Sequence, residues 1–197
     1  MTITERDSDL VETREAVFST DHRYRYLLTR IWNPDVAPTL FICLNPSTAD
    51  AMANDPTVRR MCGFARRENA GGIVVANLFA LRSSNPAVLK RAFDPVGPDN
   101  DEHLRAAARA AARVVVAWGA GGSLAGRDRT VAQMLIDLGA DLACLGRTQH
   151  GEKRAASTGT TGGLCRSSQA LCAELSTLLV SALRNTVGIT QQCVACL

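Results

Sequence analysis

The stretch Leu40-Phe-Ile-Cys-Leu-Asn-Pro-Ser-Thr-Ala-Asp50 constrains this chain more than any other. An apolar run of strand length, Thr39–Leu44, stops at Asn45-Pro46, because proline cannot donate to a sheet ladder and biases its predecessor away from helix. Three more runs of the same kind follow, at Ile73–Leu78, Val114–Trp118 and Leu142–Leu145. The segments between them carry helical periodicity. Short strands that are apolar on both faces and alternate with helices predict a parallel sheet covered on both sides. The carboxyl ends of such strands share one edge, where open α/β proteins bind their ligands.

The helices are marked by their ends. Asp55 is placed to cap a helix that starts at Pro56 and runs to Asn69, with Val58, Met61, Cys62 and Ala65 on one face and Gly71-Gly72 as its stop. A short helix is expected from Pro86 to Phe93. An Ala-rich helix capped by Asp99 or Asn100 should reach about Ala112, and an amphipathic one should cover Arg127–Leu138. Ahead of these, Ala16–Ser19 and Tyr24–Trp32 predict an antiparallel edge hairpin turning through Thr20–Arg23. The expected fold is therefore α/β, three layers (α/β/α) with a mostly parallel central sheet and an N-terminal antiparallel edge hairpin. Residues 1–15 read as a flexible N-terminus and 16–154 as a single domain. Residues 155–197 read as a divergent tail of linker composition with an amphipathic helix over Ser168–Leu183.

At 197 residues and 46% hydrophobic content the chain suits one well-buried domain. The net charge of +3, from 22 basic and 19 acidic residues, neither demands nor excludes nucleic acid. No apolar stretch reaches the roughly 18 residues of a membrane span, and the polar, acidic start is no signal peptide. A cytoplasmic protein without membrane contact is the expectation. Of the seven cysteines, Cys43, Cys62 and Cys144 fall in apolar runs or a helix face and read as small core residues. Cys193-Val-Ala-Cys196 lacks the second pair or histidines of a zinc site, so neither metal nor cofactor is expected.

Polar residues gather at the predicted strand ends: Asn45 to Asp50; Asn77 with Arg82 and Ser83; Trp118-Gly-Ala-Gly-Gly122; and Gly146-Arg-Thr148. Ser47 and Thr48 suit turn hydrogen bonds or ligand contact. Asp50 has no capping duty, and a carboxylate there could orient a water or take a proton. Gly119–Gly126 resembles a phosphate-cradling loop. It fails the dinucleotide fingerprint, with Leu124 in place of the third glycine, and the P-loop pattern, with Arg127-Asp128 in place of Lys and Ser/Thr. It is a plain glycine turn, or an anion site formed by backbone amides and Arg127. Arg59, Arg60, Arg66 and Arg67 form a basic patch that is either a solvated face or a phosphate contact. Trp118 could stack on a base or cap the core. His22, His103 and His150 have no metal-like spacing, and no Ser-His-Asp arrangement can be drawn.

The strings LNPSTADAMANDPTVRR, VVANLFALRSSNP, VVVAWGAGG and LGRTQHGEKR fall between Tyr24 and Arg154 and resemble the bacterial family known as DUF1643. That family carries no established activity. A more distant resemblance is to the uracil-DNA glycosylase superfamily, carried by Leu44-Asn-Pro-Ser47 and by Ala76-Asn-Leu78 with Arg82. It departs after Gly151, where Lys153-Arg-Ala-Ala-Ser157 stands in place of a His-Pro element. The likeness implies a glycosylase-like fold that draws a nucleotide from its stack and hydrolyses an N-glycosidic bond. Asn45 or Asp50 would then position the attacking water, and Asp55 is the further catalytic candidate. Pro46, Ser47, Thr48, Asn77, Arg82, Trp118, Gly119 and Arg127 are the candidate ligand contacts, with Asn77 reading a base edge. The expected partner is a nucleobase, nucleotide or nucleic acid. The alternatives are a non-catalytic binding module for a phosphorylated small molecule, using Gly119–Gly126, and a protein-interaction domain using the tail helix.

Overall fold

The apolar runs form strands in a computed structural model that describes residues 1–47 and 53–144. They are β4 (Thr39–Cys43), β5 (Gly72–Asn77), β6 (Arg113–Val116) and β7 (Leu142–Cys144), all mutually parallel. Ahead of them lie β1 (Thr2–Ser8), β2 (Thr13–Ser19) and β3 (Arg25–Ile31). All seven join one sheet in the order β1-β2-β3-β5-β4-β6-β7.

Two expectations change here. Residues 1–15, read as a flexible N-terminus, supply β1 and the start of β2. Their sequence lacks an apolar face because β1 is an edge strand with mostly exposed side chains. It is held by its ladder to β2 and by opposed charges in register, Arg6 against Glu15 and Asp7 against Arg14. The N-terminal hairpin is thus a three-stranded antiparallel meander, and β3 joins β5 antiparallel as well. The sheet is mixed rather than mostly parallel.

Three helices cross over between the parallel strands: α1 (Pro56–Arg67), α2 (Asn100–Ala110) and α3 (Arg127–Asp137). Asp55 caps α1 as its position predicts, accepting from the Val58 amide at 2.8 Å. The helix ends on Asn69 in the left-handed region (φ 56°) rather than on the glycines; Gly71 leads into β5 and Gly72 is its first residue. A short 3₁₀ helix covers Pro86–Lys90. Strand side chains alternate between two cores. Phe41, Ile73, Val75 and Val115 pack with Val58, Met61, Cys62 and Ala65 of α1. Leu40, Ile42, Val114 and Val116 pack with Leu104 of α2 and Val131 and Leu135 of α3. Covering both faces is what removes the polar alternation from β4 to β6.

Candidate functional site

Every strand of the parallel half ends at the same edge, and the β4 and β5 ends are neighbours there. Cys43 lies beside Asn77 in register. Beyond them the Leu78 and Phe79 amides bond to the Cys43 and Leu44 carbonyls at 2.9 and 3.0 Å, so the two following loops leave the sheet together. Asn45 ties these loops to each other: its Nδ2 donates to the Ser83 carbonyl at 2.8 Å and to the Pro46 carbonyl at 3.1 Å. The Ser83 amide returns a bond to the Pro46 carbonyl. This makes Asn45 a loop clamp.

On the α1 side of this edge the polar groups converge. Asp55 accepts from the Ser47 hydroxyl at 2.8 Å through the oxygen that does not cap the helix. Asn77 shares the face of Ile73 and Val75, is 1% exposed, and its Nδ2 has no partner among the described residues. A buried amide donor left in that condition costs about 1–3 kcal/mol.

Two arginines that the sequence reading did not single out lie on the same face. Arg25 stands opposite Phe18 across the β2–β3 ladder and is 3% exposed. Burial lowers its pKa to about 10, against the pull of the Asp55 carboxylate. The same burial pushes the Cys43 thiol up to about 12, with Arg25 acting in the opposite direction, so Cys43 is a neutral thiol rather than a nucleophile. Arg30 is fully buried and donates to Asn54 Oδ1 at 2.8 Å and to the Thr29 carbonyl. It anchors the residue preceding Asp55. The signal was present in the sequence: two arginines within the apolar run Tyr24–Trp32 are costly to bury and need a reason to be there.

The remaining candidates have other places. Thr48 and Asp50 lie outside the described residues, as do Gly146–Thr148, His150, the Cys193–Cys196 pair and the tail helix. Arg82 donates to the His22 carbonyl at 3.2 Å and lies over the Phe18 ring, near enough to Arg25 for the two charges to repel. Trp118 is 4% exposed and belongs to the α2–α3 core. Arg127, also buried, donates to the Leu78 carbonyl at 2.9 Å and pairs with Asp101. Its duty is to fasten α2 and α3 to the loop after β5. Gly119 adopts a backbone open to glycine (φ 66°, ψ −162°) and turns the chain out of β6. A Cβ at Gly121 would meet Leu44 at 2.7 Å, and one at Gly122 would meet Trp118 at 2.2 Å. Close packing therefore accounts for the glycines at 121 and 122. The polar cluster at this strand end consists of Arg25, Cys43, Ser47, Asp55 and Asn77, without Trp118 or Arg127.

Fold and site together define an α/β protein with a mixed sheet and a buried, donor-rich polar cluster where two parallel strands end. The chain belongs to the DUF1643 family, described as a protein of unknown function, whose model matches residues 25–154. No curated protein and no solved structure matches it. Among the described residues no helix is long and apolar enough to cross a membrane.

Proposed function

We propose that this cluster lines a crevice that binds a nucleobase, as part of a nucleoside, nucleotide or nucleic acid, and hydrolyses its N-glycosidic bond. The observation that carries the reading is the buried Nδ2 of Asn77, without a partner among the described residues, on the sheet face that holds Arg25 and the Ser47–Asp55 pair. Nδ2 and a guanidinium are donors only, so they call for a ligand rich in acceptor oxygens or ring nitrogens. A nucleobase edge supplies them. The two cores, one on each face of the sheet, support the three-layer, glycosylase-like arrangement that the resemblance implies.

In the reaction, water attacks the anomeric carbon while the bond to the base nitrogen breaks and its electron pair leaves with the base. Donors fixed at the base oxygens stabilise that developing charge. Asn77 and Arg25 hold this role. Asp55, fixed by Ser47 and the α1 amide, orients the water and accepts its proton, with Asp50 the second carboxylate of the same loop. Cys43 fills the floor as a neutral group.

The test is release of free base, followed by chromatography, from a panel of nucleosides, nucleotides and modified-base oligonucleotides. Release that falls at least a hundredfold in Asn77→Ala, with folding intact, is the expected result. No release from any substrate, or release that survives Asn77→Ala, would overturn the reading.

A further inference from the structure

The edge of the sheet opposite the polar cluster carries an apolar tip beside an apolar cavity. Thr13 pairs with Ile31, and Ile31 with Gly72 at the start of β5, so the β1–β2 turn lies at the amino edge of the parallel strands. That turn presents Leu10 at 105% and Val11 at 72% of their reference areas. Turns take Gly, Asn, Asp, Ser or Pro for local reasons, and a leucine followed by a β-branched valine has none of them. The backbone beneath the two side chains is fixed. Asp9 Oδ1 accepts from the Val11 and Glu12 amides, both at 2.8 Å, while Arg14 holds Oδ2 at 2.9 Å. The Asp9 amide closes the turn on the Glu12 carbonyl at 3.1 Å. Singly exposed apolar side chains are ordinary, but two held on a locked tip form a preorganised contact with little left to order on binding.

The cavity lies at the same amino edge, on the α1 face. It measures about 180 Å³, and its apolar wall is Val36, Ala37, Phe41, Phe64, Ala112 and Val115. A cavity of about 150 Å³ admits a benzene ring, so this one has room for a leucine side chain. Glu12, at the base of the turn, pairs with Arg66 at 3.5 Å, and Arg66 lies between the cavity residues Phe64 and Glu68 at the end of α1. Tip and cavity are therefore neighbours on one surface. Leu10 does not enter the cavity of its own chain, being fully exposed. The charges around the two are complementary. Acids outnumber bases about the tip, where Asp7, Asp9 and Glu12 surround Arg14. Bases outnumber acids about the cavity, with Arg66, Arg67 and Arg113 against Glu68 and Asp141.

We propose that this surface joins two copies of the chain about a two-fold axis, the Leu10–Val11 tip of each seated in the cavity of the other. A tip and a cavity side by side are what an isologous interface needs: the rotation that sets one tip on the partner's cavity returns the partner's tip to the first. At about 30 Å² of apolar surface per carbon, the two side chains present on the order of 200 Å². Two tips and the two cavities that cover them then account for about 800 Å², and the charged rims extend this towards the roughly 1,200 Å² that bounds weak, transient complexes. A dimer with a dissociation constant in the micromolar range is expected. The polar cluster at the carboxyl edge stays open in it, and the inference does not depend on what that cluster binds.

The experiment is sedimentation velocity of the full chain from about 1 to 200 µM, a range that brackets an interface of this size, with circular dichroism and Tm showing that each variant is folded. The parent should pass from monomer to dimer within that range and form nothing larger. Leu10→Ser/Val11→Ser removes the tip, and Val36→Glu sets a carboxylate at the exposed mouth of the cavity. Each should raise the dissociation constant by at least about thirtyfold, as loss of a central apolar anchor does. Each also keeps the half that the other lacks, so an equimolar mixture recovers one of the two contacts and should associate more tightly than either variant alone. Phe93→Ser, which removes a fully exposed ring from the loop beyond the β5 end, should associate like the parent. A parent that stays monomeric throughout, a tip variant that dimerises like the parent, or equal loss in Phe93→Ser would overturn the proposal. Dissociation by Val36→Glu alone would give the cavity a different occupant and overturn it as well. Growth into open polymers would make the contact head-to-tail and rule out the two-fold.

Discussion

Gly122→Ala separates a packing glycine from a ligand-cradling one. The added Cβ would stand 2.2 Å from Trp118 Cδ1, 2.8 Å from its Nε1 and 3.0 Å from its Cγ. Carbon atoms in contact sit about 3.5–4.0 Å apart, so ring or backbone must move by more than about 1 Å. Trp118 has little room to give, being 4% exposed within the α2–α3 core. Overpacking of this kind costs about 1–3 kcal/mol. At about 2–4 °C per kcal/mol for a domain of this size, Tm should fall by roughly 2–12 °C. Calorimetry or urea unfolding reads the effect, and two other glycines calibrate it. Gly121→Ala meets only the flexible end of Leu44 and should cost less. Gly63→Ala, in the middle of α1 with nothing within 4 Å, should gain about 1 kcal/mol from helix propensity. A Gly122→Ala protein as stable as the parent would refute the packing argument and restore the 119–126 loop as an anion cradle.

Other substitutions probe the crevice and its supports. Asn100→Ala removes the side-chain donor to the Asn77 and Leu78 carbonyls. Leu78 keeps Arg127, so the loss should be about 1–3 kcal/mol by urea denaturation. Asp55→Ala should cost about 1 kcal/mol for the helix cap and, if the proposed reaction holds, abolish base release. Arg25→Met should leave Tm within a few degrees of the parent or raise it, since burial already disfavours the charge, while ligand binding is lost. Cys43 should resist alkylation at pH 8 until the protein is unfolded, as mapped by mass spectrometry. Because its folded pKa is raised to about 12 from 9.0, the unfolded thiol ionises first. Its contribution to stability is therefore full below pH 9 and is lost as pH rises from 9 towards about 12, and Cys43→Ala should remove that decline above pH 9.

The parallel half of the sheet and its helices were legible because local chemistry and tertiary packing agree there. Asp55-Pro56 starts α1, and β4 to β6 read as buried runs since both faces are covered. The edge strand β1 was invisible because its support is ladder bonds and paired charges, which leave no hydrophobic period. For the candidate site, the sequence reading placed Ser47, Asp55 and Asn77 at the strand ends, and the structure joins Ser47 to Asp55 there and sets Asn77 beside Cys43. The sequence reading did not separate the two faces of the sheet, so Trp118 and Arg127 were grouped with residues that look the other way. Arg25 and Arg30 were passed over because charge inside an apolar strand reads as imperfect alternation until burial is known. The glycines after β6 follow a ligand-loop pattern by composition, and only the positions of Leu44 and Trp118 show what they accommodate.

The most direct measurement on the crevice follows the side-chain amide resonances of ¹⁵N-labelled protein during titration with free nucleobases. Asn77→Leu identifies which pair of signals belongs to Nδ2 of Asn77. The account predicts a saturable shift of that pair, lost together with binding in Arg25→Met. Nucleobases that leave the Asn77 pair unmoved, or that shift only signals from the α2–α3 side of the sheet, would contradict it.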